Sequence, residues 1–501
     1  MGLVFQENTM EYLSRVFCET MTQEQTAELI VPDSYPDAQR VVDAFGTAIL
    51  RAADCSGDSA SVTGEVLTGL LFVTEDGDVQ RLEAAVPFSF RRDFDSPQEE
   101  CNLQCRCSVR SVDARMLNSR KVLVRVGIVC TMTVYAHKEK VLYDVQECEY
   151  GLQVKRTQLP MQVPLALGDK SFTLNEELEL PGGKPSIERL LKCVYRTEIQ
   201  EQKMVGSKAV FKGSLCVHSL YECAEGMLHS FESVVPFSQY VDMDYELDDR
   251  DLRTVLVPTS VETEPDGQIE CRRLLLSANL LAQCTAFGEQ TVEVIADAYC
   301  TEAQMLPQWD EWEMSSILDK QIFRESVVAA ASEPVQSVVD AWVWIDEGVK
   351  SRQGEHVSVE LPLTFSVLYY DTEGELQGKT LRPSMNVDTE LAQSSDCRVS
   401  GASSGEVFAG GGSNGMEIRC PISVELESYA KNKMRCICGG EVEELADTGE
   451  RKPSVILRRT DQEQDVWDIA KSYRARTQDL MDANNLESPL VSAGSLLLIP
   501  M

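Results

Sequence analysis

What this sequence has least of is histidine, four in 501 residues, and positive charge, with 46 basic against 81 acidic side chains. His137, His218, His229 and His356 are scattered, with no His-Glu-x-x-His helix and no carboxylate pattern beside them, so nothing resembles a histidine-built metal site. The formal charge of −35 comes without any basic block, and such a surface repels nucleic acid and anionic lipid. No apolar run is long enough to span a bilayer as a helix, and Met1 to Asn8 show neither a basic start nor an apolar core. We therefore expect neither membrane insertion nor secretion, and a reducing, cytoplasmic compartment.

The 17 cysteines do not contradict this expectation. Many fall at inward positions of expected strands (Cys130, Cys284, Cys420), where a reduced thiol packs as a small apolar group. Cys101, Cys105 and Cys107, and the pair Cys436 and Cys438, come nearest to a soft-metal site. Their spacings differ from the Cys-x-x-Cys pairs of structural zinc, so we expect no metal and no cofactor.

What the chain does have is a passage written three times. Gly64 opens a strand through Val66, Leu67, Leu70, Leu71, Phe72 and Val73, the turn Glu75-Asp76-Gly77-Asp78 follows, and the return ends in Val86-Pro87-Phe88-Ser89. This reads as a β-hairpin. The second copy runs from Gly213 through a turn at Gly226 to Val235-Pro236-Phe237-Ser238, and a looser third runs from Leu361 through Gly374 to Leu381-Arg382-Pro383-Ser384. Upstream, Pro36, Pro185 and Pro334 lead matching segments at intervals of 149 residues. Downstream, Lys121, Arg273 and Arg419 introduce strands whose alternate positions are apolar: Val122 to Val134, Leu274 to Cys284, and Ile418 to Leu426. Period two means one buried face per strand.

The expected fold is mainly β: three tandem β-rich repeat domains of period about 149, close to ordinary domain size, followed by a small β-α-α-β domain. The divisions are an N-terminal arm at 1–20, repeats at 21–168, 169–318 and 319–445, a linker at 446–453, and the last domain at 454–501. Met10 to Phe17 has apolar residues at helical spacing, so the arm is expected to be helical. Pro160, Pro164 and Gly168, and later Pro307 with Trp309 and Trp312, are expected joints. The glycine-rich passage from Val399 to Gly415 is expected to be a flexible loop.

That passage also holds two formal catalytic patterns. Gly410, Gly412 and Gly415 spell a dinucleotide fingerprint, but a strand follows where a helix is required. Gly401-Ala402-Ser403-Ser404-Gly405 spells a nucleophile elbow, but no histidine follows His356 to act as its base. We expect no enzyme.

The C-terminal segment is more specific. Val455 to Arg458 reads as a strand, Asp465 to Tyr473 as a helix, Gln478 to Asn484 as a second helix capped by Thr477, and Leu496 to Pro500 as a returning strand. Trp467-Asp468-Ile469-Ala470-Lys471, Asp479-Leu480-Met481, Ala483-Asn484-Asn485-Leu486 and Gly494 to Pro500 resemble the LysM family in order and spacing. That resemblance implies a shallow groove used for N-acetylglucosamine chains. Glu463-Gln464-Asp465-Val466 stands where the family has Gly-Asp-Thr-Leu, which adds charge and removes backbone freedom, and this favours a protein ligand.

The Pro32-Asp33-Ser34-Tyr35-Pro36-Asp37 lead-in, the Val-Pro-Phe-Ser hairpin ends and Asn118-Ser119-Arg120-Lys121 resemble the SPOCS domain of spore-coat-associated proteins. Three such units before a LysM domain imply a spore-coat assembly adaptor on the mother-cell side of the forespore surface. Its implied partner is the coat morphogenetic ATPase, stage IV sporulation protein A. The expected partner-binding residues are Trp467, Asp468, Lys471, Asn484, Asn485 and Leu486. The competing expectation is a wall-associated protein whose LysM domain binds peptidoglycan.

Overall fold

The computed structural model describes residues 5–98, 100–145, 149–247, 250–267, 270–392, 395–445 and 454–500. The expected linker at 446–453 lies outside them. Strand accounts for 77 % of the structure, which makes the chain mainly β, and the two α-helices among the described residues both fall after residue 465.

Each copy of the hairpin sits in its own antiparallel sheet, three-stranded in the first two units and five-stranded in the third. The first unit is Ala38–Ser56, Ser59–Thr74 and Val79–Asp93; the second is Arg189–Val205, Lys208–Glu222 and Leu228–Asp242. In the third, Val335–Ile345 pairs with His356–Asp371, whose other side is divided between Leu376–Leu381 and Ser384–Glu390. The turn glycines adopt φ of +90° (Gly77), +76° (Gly226) and +82° (Gly374), which only glycine reaches without strain. Gly64 pairs with Phe88 and Gly213 with Phe237, and a Cβ at either glycine would strike the ring, at 2.4 and 2.8 Å. Phenylalanine lying over a strand glycine thus explains both Val-Pro-Phe-Ser ends. The third copy has Pro362 opposite Ser384, no such ring, and a break at Arg382 and Pro383.

The alternating strands are the spines of the molecule. Lys121–Asp144, Arg273–Cys300 and Gly415–Glu444 pair antiparallel with the long strands Gln6–Ile30, Leu152–Glu179 and Ala303–Ala331 respectively. Their alternate residues (Val122 to Val134, Leu274 to Cys284, Ile418 to Leu426) are 0 to 3 % exposed, as period two requires. Cys130, Cys284 and Cys420 are free and fully buried among them.

Several expectations are corrected. Met10 to Phe17 is not a helix but part of the strand Gln6–Ile30: Met10 and Tyr12 share one face, Leu13 the other, and a bulge between Arg15 and Phe17 shifts the alternation so that it mimics helical spacing. Pro160 and Pro164 do not break Leu152–Glu179. The amide of Gln162, between them, points away from Arg273–Cys300 and donates to Ser316, so prolines two residues either side cost that ladder no hydrogen bond. Pro307 likewise lies inside the continuous strand Ala303–Ala331. The passage 399–415 is not a flexible loop. It forms the end of Ser395–Ser403 and the whole of Phe408–Gly412, both paired with Gly415–Glu444. Its glycines serve close packing: a Cβ at Gly401 would meet Leu361 at 2.7 Å, and one at Gly411 would meet Val335 at 2.4 Å. Cys101, expected as a free thiol, is joined to Cys55 across the first unit.

The three units meet at a buried cluster of charge. Lys192 Nζ donates to Asp43 Oδ2 at 2.7 Å and to Asp340 Oδ2 at 2.9 Å; His218 Nε2 lies 2.5 Å from Asp340 Oδ1, and Ser366 Oγ donates to Asp43 Oδ1 at 2.7 Å. Asp43, Lys192 and Asp340 stand at matching places in their units, each just after a bulge in the first strand (Val41/Asp43, Leu190/Lys192, Val338/Asp340). The extra residue re-aims the side chain inward. Burial alone would depress the Lys192 ammonium, but Asp340 and Asp43 outweigh it and raise its pKa. Burial would raise Asp340, and Lys192 and His218 outweigh that and lower it. A second such junction joins Arg15 and Arg253 to the buried Glu427.

Candidate functional site

The C-terminal domain is built from Val455–Arg459 paired with Leu496–Pro500, a short pair of Gln464–Asp465 with Leu490–Val491, and helices α1 (Val466–Tyr473) and α2 (Thr477–Asn484). Asp465 caps α1, its carboxylate accepting from the Trp467 amide at 2.8 Å. Arg474 ends α1 in the left-handed conformation, its amide returning to Ala470 and Lys471 carbonyls. Thr477 is not the cap of α2, as expected, but its first residue; Arg476 holds the cap position without a side-chain bond. Val466, Ile469, Ala470, Leu480, Leu497 and Ile499 form the core.

The expected docking residues divide into three groups. Trp467 and Lys471 converge on a single acid from another part of the chain, Asp297. The indole Nε1 donates to Asp297 Oδ2 at 2.8 Å, and Lys471 Nζ to both carboxylate oxygens at 2.6 and 2.7 Å. Tyr299 completes the contact, its ring edge-on to Trp467 at 4.9 Å and its hydroxyl donating to Ala475 O at 2.7 Å. Asp297 lies at a bulge after Ile295, which turns it toward the domain. Burial would raise its pKa, but hydrogen bonds from Lys471 and Trp467 lower it. Lys155 holds Asp465 at 2.6 Å on the same side. Trp467 is therefore neither a free anchor nor a residue of its own domain's core alone.

Asn484 has an internal task. Its amide donates to Leu480 O and Leu498 O and accepts from Leu498 N, standing in for a missing strand. Leu486 is half-buried against the core, while Asp468 and Asn485 are exposed.

One surface escaped the sequence reading. Val455, Leu457, Leu496 and Leu498 lie on the outer face of the two-strand sheet and are 49, 67, 67 and 37 % exposed. The signal was present: Leu496-Leu497-Leu498-Ile499 is apolar at every position, yet so small a domain buries only one face of the sheet, through Leu497 and Ile499.

The catalytic patterns have no structural support. Ser403 Oγ donates to the Gly405 carbonyl at 2.8 Å, and Gly415, at φ +111°, turns a hairpin. No group of three or more histidine, cysteine or acidic residues could hold a metal among the described residues.

The fold is that of a β-rich chain of several units with a small β-α-α-β domain after them, and residues 463–500 of that domain match the LysM domain family. Residues 186–263, which span the three strands of the second unit and run into Asp251–Pro265, match the family described as SipL, SPOCS domain. Both are non-catalytic domain families, and the SipL match carries an association with the spore coat. No curated protein and no solved structure matches the chain. Among the described residues, no helix is long and apolar enough to cross a membrane.

Proposed function

We propose that this chain is a non-enzymatic adaptor of spore-coat assembly: three SPOCS-like units of period about 149 form an acidic scaffold, and the LysM domain docks a protein partner. The partner is the coat morphogenetic ATPase, stage IV sporulation protein A, met on the mother-cell side of the forespore surface. The observation that carries this reading is the presence on one chain of a SipL-type SPOCS domain and a LysM domain with an exposed apolar strip. Leu457, Leu496 and Leu498 offer nothing to a sugar hydroxyl, but they suit the apolar centre of a protein interface. Trp467, Asp468, Lys471, Asn484, Asn485 and Leu486 form a second docking face. Trp467 and Lys471 join it when Asp297 releases them.

The test is capture of the ATPase from sporulating cells by the full chain, by a chain lacking residues 454–501, and by Leu457→Glu/Leu496→Glu, Lys471→Glu and Leu486→Ala variants. Binding lost on truncation and weakened in the variants supports the adaptor. LysM domains also bind peptidoglycan. Undiminished capture, together with sedimentation of the wild-type chain with purified peptidoglycan, would favour the wall-binding reading.

A further inference from the structure

The three units contact one another in a ring, and two of the three seams are closed the same way. At the first, Arg40 reaches from the first unit to the third: Nε and an Nη donate to Leu376 O, both at 3.2 Å, and the same group meets Glu375 at 3.2 Å. At the second, Arg189 reaches from the second unit to the first, donating to Val79 O at 2.5 Å and Gln80 Oε1 at 2.8 Å. In both, a guanidinium sits on the carbonyl two residues past a turn glycine, Gly77 or Gly374. That carbonyl is free because the preceding pair closes the turn (Thr74 N to Asp78 O, Asp371 N to Glu375 O), so the next residue's C=O points off the sheet edge.

The third seam, from the third unit to the second, has the carbonyl and lacks the arginine. Cys223 N donates to Met227 O, so Leu228, two residues past Gly226, presents its C=O outward in the same way. Strand register puts Ser337 where the arginine belongs: it pairs with Tyr370 as Arg40 pairs with Val73 and Arg189 with Glu222, and each stands three residues before its unit's central charge. A cavity of about 740 Å³ opens there, lined by Ser337, Leu228, His229, Tyr370, Glu406 and Phe408. His229 occupies the place of Gln80, and its Nε2 is buried without a partner among the described residues. Burial first, and Lys184 second, lower the pKa of this ring, which keeps it neutral and able to accept. Lys184 itself is taken up by the Ser230 carbonyl. Phe408 and Met227, 61 and 53 % exposed, stand at the mouth.

We propose that this third seam is a receptor for an arginine side chain of a partner protein, which completes the ring where Ser337 leaves it open. The two closed seams show the guanidinium geometry within the same molecule, and a chain of charge −35 draws basic segments towards it. Apolar side chains flanking the partner's arginine would rest on Phe408 and Met227.

The experiment uses the full chain with N-acetyl-arginine methylamide, its lysine counterpart and its uncharged citrulline counterpart, read by thermal shift and calorimetry. Ser337→Arg supplies the missing group from within, and Ser337→Met fills the space without charge. We expect the arginine compound alone to raise the melting temperature, Ser337→Arg to raise it without ligand, and both variants to lose about tenfold or more in affinity for the compound, the scale of one charge-assisted hydrogen bond. Equal response to the lysine compound, no response in the wild type, or undiminished binding by either variant overturns the proposal. So does ligand-free dimerisation in solution that Ser337→Arg abolishes, which would make the occupant a second copy of this chain. None of these outcomes depends on the LysM partner.

Discussion

Two junctions hold this molecule together through an amino group set between oxygens, and they differ in how much water reaches them. Where the three units meet, the side chains of Lys192, Asp43 and Asp340 are 1 to 2 % exposed. Where the LysM domain meets Asp297, Lys471 is 43 % and the aspartate 21 % exposed. A buried charge cluster cannot lose one member without stranding the rest in a medium that solvates them poorly, whereas a wet one exchanges its partner for water at little cost. The first junction therefore belongs to folding. The ion pair of the second contributes less.

The largest effect expected to test this contrast is that of Lys192→Met. It leaves Asp43 and Asp340 buried without their counter-charge and should cost about 3–5 kcal/mol of unfolding free energy in urea titration. A loss under about 1 kcal/mol, as for a surface pair, would erase the distinction. Acid comes next. Asp340 is depressed in the folded state, so its contribution is fully present above the unfolded carboxylate value of about 4 and is lost as pH falls through the folded one. Lys192 is raised, so its contribution is present below the unfolded lysine value of about 10.4 and is lost as pH rises through the folded one. Melting temperature should therefore form a broad plateau that falls at both ends, and Lys192→Met should flatten the alkaline fall.

Asp297→Ala should have a smaller, local effect. It removes the common acceptor of Trp467 and Lys471, for about 1 kcal/mol given its exposure. Hydrogen exchange should quicken in α1 while the three units keep their melting temperature. Salt should do least. Raising ionic strength to about 1 M, where the screening length is about 3 Å, should mimic a fraction of the Asp297→Ala effect and leave the buried centre unmoved.

Much of this architecture was legible in the sequence, because strand alternation is a local signal. The three apolar faces beginning at Val122, Leu274 and Ile418 could be read residue by residue, and so could the turns at Gly77, Gly226 and Gly374. Misreadings arose where pairing at a distance decides the outcome. Proline at 160 and 164 looks like a break until the partner strand shows which edge lacks an amide, and the glycines near 401 look loose until Leu361 and Val335 arrive beside them. The charge centre had a signal that passed unnoticed: Asp43 and Lys192 stand 149 residues apart, and Lys192 and Asp340 stand 148 apart, in step with the hairpins. Contact of Trp467 with Asp297 had none, since nothing local to either residue names the other.

The alternation of sign at the centre also limits how such a ring can be made. Three identical units around one axis would bring together three acids or three bases, and either set would repel. Two acids and a base require units that differ and occur in a fixed ratio, which a single polypeptide guarantees. Exchange of one unit between neighbouring molecules would preserve the balance only if an acid-bearing unit, first or third, replaced another acid-bearing one, or a lysine-bearing second unit replaced a second. A centre holding two lysines and one aspartate would leave a buried ammonium without its counter-charge, a cost of the same kind as the one expected of Lys192→Met.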